Sequence, residues 1–182
     1  MGIKTALGVG IKAAVATILV VSLLVLGLSA TSVLSGYGDL VIKIKDPPNT
    51  WGQATAVYIT SDDIYVHRAD AGSESGWFAT GISVANLNLG EITVFERAVG
   101  QTTLRAGSYN IIRFEIVEAI VTVEGKNYPC EVASGKLNVP ILLGGVKVEP
   151  NTVSNLLIDI TVVITGTDQE FKLVPSAIGR PV

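Results

Sequence analysis

The sequence predicts a mainly β protein, an antiparallel β-sandwich of two sheets preceded by one apolar N-terminal helix. Three observations carry that reading. Apolar and polar residues alternate with a period of two along most of the chain after Gly38. Turn residues recur every 8–12 positions or so, the spacing of an all-β sandwich. The region from Ala13 to Gly38 carries no charge at all, and all 29 charged residues lie outside it.

The N-terminal run comes first. Val15 to Leu28 is almost pure Val, Leu, Ile and Ala, with Lys4 and Lys12 ahead of it. A helix over Ala13 to Leu34 is about 33 Å long at roughly 1.5 Å per residue, enough to cross a hydrocarbon core of about 30 Å. Three readings fit a basic tail before an apolar run: a cleaved secretory signal, a pilin-type signal cut between Lys12 and Ala13, and an uncleaved anchor. Leu28 would stand at −3 for a cut after Ala30, a poor fit to secretory cleavage, so the uncleaved anchor is favoured. Lys43 and Lys45 balance Lys4 and Lys12 across the run, which leaves orientation to the short basic tail. That tail is expected in the cytoplasm, with the body outside. The expected organisation is therefore 1–38 as a signal anchor and 39–182 as an extracytoplasmic domain, single-pass and at the cell surface.

The body reads as strands in order. Leu40, Ile42 and Ile44 share one face, and Lys43 and Lys45 the other, until Asp46-Pro47-Pro48-Asn49 ends the strand. Ala54 to Thr60 and Ile64 to Arg68 read as two strands around a Ser61-Asp62-Asp63 turn. A Gly/Ser-rich loop, Ala71 to Gly76, leads to Trp77. Ile82 to Val99 fits a helix or two short strands equally. Arg105-Ala106-Gly107 is a turn before the strand Tyr109 to Val117. Ile120 to Val123 and Tyr128 to Val132 form a hairpin about Glu124-Gly125-Lys126-Asn127. Lys136 to Leu142, Val146 to Val148, Ser154 to Ile164 and Phe171 to Val174 follow, the last stopping before Pro175. Roughly nine or ten short strands suit an immunoglobulin- or transthyretin-like two-sheet architecture.

Composition excludes several functions. Among 182 residues there are 13 Lys and Arg, 16 Asp and Glu, one His and one Cys, for a net charge of −3. A structural zinc site takes four Cys or His ligands, and this chain has two such residues. The charge balance argues against nucleic acid, which needs clustered Lys and Arg. Gly8-x-Gly10-x-x-Ala13 imitates a dinucleotide fingerprint but has no strand before it.

The candidate groups are few. His67 would have to serve any base mechanism that uses a histidine, and a structural role is the simpler reading. Cys130, in an apolar hairpin strand after Pro129, reads as a buried inert thiol. Tyr109, Ile111, Arg113 and Glu115 lie two apart and so on one face. A partly buried Arg113 needs a carboxylate, and Asp159 in the other long apolar strand is the expected partner in a structural ion pair. Asp62, Asp63, Asp70 and Glu74 could offer oxygens to Ca²⁺, although their spacing matches no EF-hand and a solvated acidic loop is the simpler reading. No other cofactor is expected.

A set of landmarks in fixed order carries a resemblance. These are Asp46-x-Pro48, Tyr58-Ile59-Thr60, Val66-His67-Arg68, Trp77, Leu104-x-Ala106-Gly107-x-Tyr109-x-x-Ile112-Arg113, Val123-x-Gly125-x-x-Tyr128, Ser134-Gly135-Lys136-Leu137, Asp159 and Leu173-x-Pro175. Together they resemble the archaeal and bacterial surface-protein domain-of-unknown-function family numbered 4382. Acids that the family often carries after its first Asp-x-Pro are replaced here by Asn49-Thr50-Trp51, and its Asp-Leu pair is absent near Ala85-Asn86-Leu87. The resemblance implies a secreted or anchored β-sandwich and no reaction.

The sequence thus leads to a non-enzymatic, membrane-anchored surface module for binding or envelope structure, with an envelope protein or a second copy as partner. A pilin-like or strand-donating filament subunit is the alternative, and a secreted hydrolase the least supported.

Overall fold

A computed structural model describes residues 36–45, 51–93, 96–166 and 170–182. The expected anchor helix and the Asp46-x-Pro48 landmark lie outside the described residues. Among those described, no α-helix occurs, and no helix is long and apolar enough to cross a membrane.

The described residues of the body form eleven strands: β1 (Tyr37–Lys45), β2 (Ala54–Arg68), β3 (Trp77–Ala79), β4 (Val84–Asn88), β5 (Arg97–Arg105), β6 (Gly107–Val123), β7 (Lys126–Val132), β8 (Lys136–Pro140), β9 (Val146–Val148), β10 (Val153–Thr165) and β11 (Phe171–Pro181). They form one curled, open sheet in the order β3-β2-β6-β7-β11-β10-β1-β5, with β4 added to β2 and β8 and β9 to β6. This replaces the expected pair of separate antiparallel sheets. The joint is β7, which pairs antiparallel with β6 at one end and parallel with β11 over Cys130 to Val132 at the other. The sheet is also mixed, because β1 runs parallel to β10 along its length.

Alternation explains the core. In β1, Leu40, Ile42 and Ile44 are buried while the residues between them are half-buried. Their inward partners are Val57, Ile64 and Val66 on β2, Ile112 and Phe114 on β6, and Leu156, Ile158 and Ile160 on β10. Each large aliphatic side chain buried this way contributes about 1.5–3 kcal/mol. An apolar cavity of about 20 Å³ remains between Ile44 and Ile160 on one side and Ile59, Phe114 and Leu137 on the other. It has room for about one water.

Several expected boundaries move. Ser61-Asp62-Asp63 is a bulge inside one long β2, not a turn between two strands. The buried Ser61 hydroxyl donates to the Asp63 carbonyl, and the Asp63 carboxylate accepts from the Ile64 amide, which lets the kinked chain rejoin its ladder. Tyr109 to Val123 is likewise one strand, with its own irregularity opposite that bulge. Within 82–99, β4 is followed by a single 3-10 turn, Leu89–Ile92, capped by Asn88. Finally, β11 continues past Pro175, which lies opposite Val162.

Candidate functional site

The outer face of β2, β3, β6 and β8 gathers the polar and aromatic groups. Register places Tyr65 beside Arg113 and Arg113 beside Asn138, with Glu115 beside Lys136. Trp77 lies opposite His67 on the neighbouring edge strand. These residues share a face because their strands alternate in step, and the opposite face is spent on the core.

Arg113 is the centre of the group. Its guanidinium carbon stands 3.8 Å from the centroid of the Trp77 ring, a cation–π stack. Its Nε donates to Asn138 Oδ1 at 2.7 Å. Stack and hydrogen bond fix the guanidinium plane, and the Nη1/Nη2 edge is not used by either. The Trp77 ring also packs against His67, centroids 4.8 Å apart and planes at 58°. Among the described residues, none of the ion pairs includes Arg113. Glu115, two positions along, is held by Lys136 at 3.4 Å.

The expected Arg113–Asp159 pair is not formed. Arg113 lies on β6, while Asp159 lies on β10 and meets Arg180 of β11 at 3.3 Å. The nearest strand with an opposing charge supplies the partner, and β10 neighbours β11 and β1, not β6. Tyr109 also leaves the face assigned to it. The register shift between His67 and Arg68 inserts Asn110 as an extra residue, so Tyr109 turns into the core while Ile111, Arg113 and Glu115 face out.

His67 is buried, and both ring nitrogens are engaged. Nδ1 lies 3.0 Å from Asn110 Oδ1 and Nε2 lies 3.0 Å from the Gly72 carbonyl oxygen. Burial pushes its pKa down and the Arg113 charge adds to that. Hydrogen bonds to Gly72, Asn110 and Ser75 outweigh both, leaving the imidazole above its ordinary value. Its work is to tie the 71–76 loop to β6. Cys130 is buried where β7 meets β11, and burial, helped by the Glu131 charge, pushes its thiol up to about 11. A thiol so placed is protonated near neutral pH and is a poor nucleophile.

The four acids considered for Ca²⁺ are divided. Asp62 and Asp63 sit on the β2 bulge, whereas Asp70 and Glu74 lie beyond the end of that strand. Both Asp70 oxygens accept from Arg68, at 2.8 and 2.6 Å, which holds the carboxyl below its usual range. Among the described residues, no group of three or more His, Cys, Asp or Glu could hold a metal ion.

Trp77 and Asn138 are the site residues that alternation alone does not reveal as partners of Arg113. The available signal is weak: one Trp after a Gly/Ser loop, and one Asn between Leu137 and Val139 in a short strand.

Comparison with known proteins adds a family. A family model described as a domain of unknown function, DUF4382, matches residues 37–175. No curated protein matches the chain. Among solved structures, the chain is similar to a Bacteroides eggerthii protein provisionally assigned to cell adhesion, with 12% identity and a TM-score of 0.31. That match covers 81% of this chain and 57% of the other. A likeness this distant carries no argument about function.

Proposed function

The chain belongs to the DUF4382 family of unknown function, and we propose that this member is a non-enzymatic surface module. In this reading, 13–34 hold it in the membrane and the β-body outside presents a recognition face. The carrying observation is the guanidinium of Arg113, fixed between Trp77 and Asn138 with one donor edge unused. A rigid donor on a sheet face is suited to binding. The other chemistry-bearing groups support the same reading, since His67 is tied up in hydrogen bonds and the Cys130 thiol stays protonated.

One observation favours the second reading, a strand-donating filament subunit. β5 ends the strand order and, among the described residues, pairs with β1 alone, so its other edge offers backbone groups to an added strand. Such an edge accepts an added strand.

Intact mass with N-terminal sequencing of native protein from washed membranes separates the two. A chain starting at Met1 or Gly2 supports the anchored module. A start at Ala13 makes the filament the leading reading, and a start beyond Ala30 means a released domain.

A further inference from the structure

We propose that the shelf formed by Arg113, Trp77 and Asn138 binds the carboxylate of an acidic sugar of the uronate type. The inference deepens the recognition-face reading above and rests on it.

One edge of the Arg113 guanidinium is unused. Trp77 covers one face of the Arg113 plane, and Asn138 Oδ1 takes up Nε. Nη1 and Nη2 then form a parallel pair of donors, the geometry that matches the two oxygens of a carboxylate. None of the ion pairs among the described residues satisfies this charge, and the acid expected to do so, Asp159, is held by Arg180. The fork is also ordered in advance, so a ligand need not freeze a flexible arginine.

The surroundings decide what kind of carboxylate. Glu115 lies on the same face, about 7 Å along the strand from Arg113 at roughly 3.4 Å per residue. Tyr65 is the direct cross-strand neighbour of Arg113, and Asp63 lies two positions before it on β2. A polyacidic peptide would bring several negative charges against Asp62 and Asp63, and against Glu115, whose charge the half-exposed Lys136 offsets only in part. A uronate brings one carboxylate with hydroxyls beside it. Those hydroxyls donate to the carboxylates and accept from the Asn138 amide, whose oxygen is already engaged by Arg113. Acceptors next to a cationic fork therefore fit a ligand that is acidic at one point and a donor around it.

The test is a titration of the purified full chain in detergent with oligomers of galacturonate, glucuronate and mannuronate. Their methyl esters and a poly-glutamate of matched length serve as comparisons. The expected result is binding of at least one uronate, with its ester about tenfold weaker or more. Arg113→Gln weakens it by a similar factor, and Arg113→Lys, which keeps the charge and loses the fork, does so too. Arg180→Gln leaves binding unchanged, and matched thermal melts show that the variants are folded. No binding to any uronate overturns the proposal, as does an ester that binds equally, an unaffected Arg113→Gln, or tighter binding of poly-glutamate. Because the readout is on purified protein, its failure is distinct from a failure of the membrane-surface reading, which is measured in cells.

Discussion

The Tyr109 hydroxyl donates a 2.8 Å hydrogen bond to the backbone carbonyl of Arg105, four residues back across the β5–β6 corner. The ring is among the largest fully buried side chains in the protein. Corners between strands in β folds use a tyrosine in this way to pin the chain as it turns. Here it fixes the start of β6, and β6 carries Arg113.

Tyr109→Phe keeps the packing and removes the hydrogen bond to the Arg105 carbonyl. The expected cost is about 0.5–1.5 kcal/mol, the net worth of one intramolecular hydrogen bond. Urea unfolding followed by tryptophan fluorescence measures it, and an unchanged midpoint would show that water replaces the hydroxyl.

Gly38 is required for close approach. A Cβ there would collide with the Glu149 carbonyl oxygen and lie 3.0 Å from Val148 Cγ1. Since the nearest atom is backbone, Gly38→Ala should destabilise by about 1–3 kcal/mol through overpacking. A thermal melt showing no loss would mean that the 149–152 turn yields freely.

His67 makes stability depend on pH in a defined direction. Its folded pKa lies above its unfolded value near 6.5. The stabilisation is therefore complete below about 6.5 and is lost as pH rises through the folded pKa. Urea midpoints should fall as pH is raised from about 6 upward, and His67→Gln should abolish that slope. A slope that persists in His67→Gln assigns it to another group.

Cys130 should resist alkylation. With its thiol pushed up to about 11 and buried, iodoacetamide at pH 8 should label it slowly in folded protein and promptly in urea. Equal rates would place the thiol at the surface.

The sequence made the local pattern legible and left the long-range pairing hidden. Val146 to Val148 was readable to the residue, and Leu40, Ile42 and Ile44 were readable as core, because alternation is a local property. Ser61-Asp62-Asp63 looked like a turn because its residues are turn formers, and a bulge uses the same chemistry. The parallel pairing of β1 with β10 joins residues more than a hundred positions apart, and no local signal encodes it. The site follows the same rule. Arg113 stood out as a charge in an apolar strand, but its shelf comes from Trp77 and Asn138, which meet it only through sheet order. The expectation of Asp159 as its partner rests on strand length and hydrophobicity, which carry no information about neighbours.

Whether the β-body stands outside a membrane in which the N-terminal segment is held is decided by protease treatment of intact cells, followed by carbonate-washed membrane fractionation. The untreated chain is expected to stay in the membrane pellet, and protease on intact cells to remove the Tyr37–Val182 body while a cytoplasmic marker survives. A body protected until the cells are lysed, or a chain released by the carbonate wash, would contradict this placement.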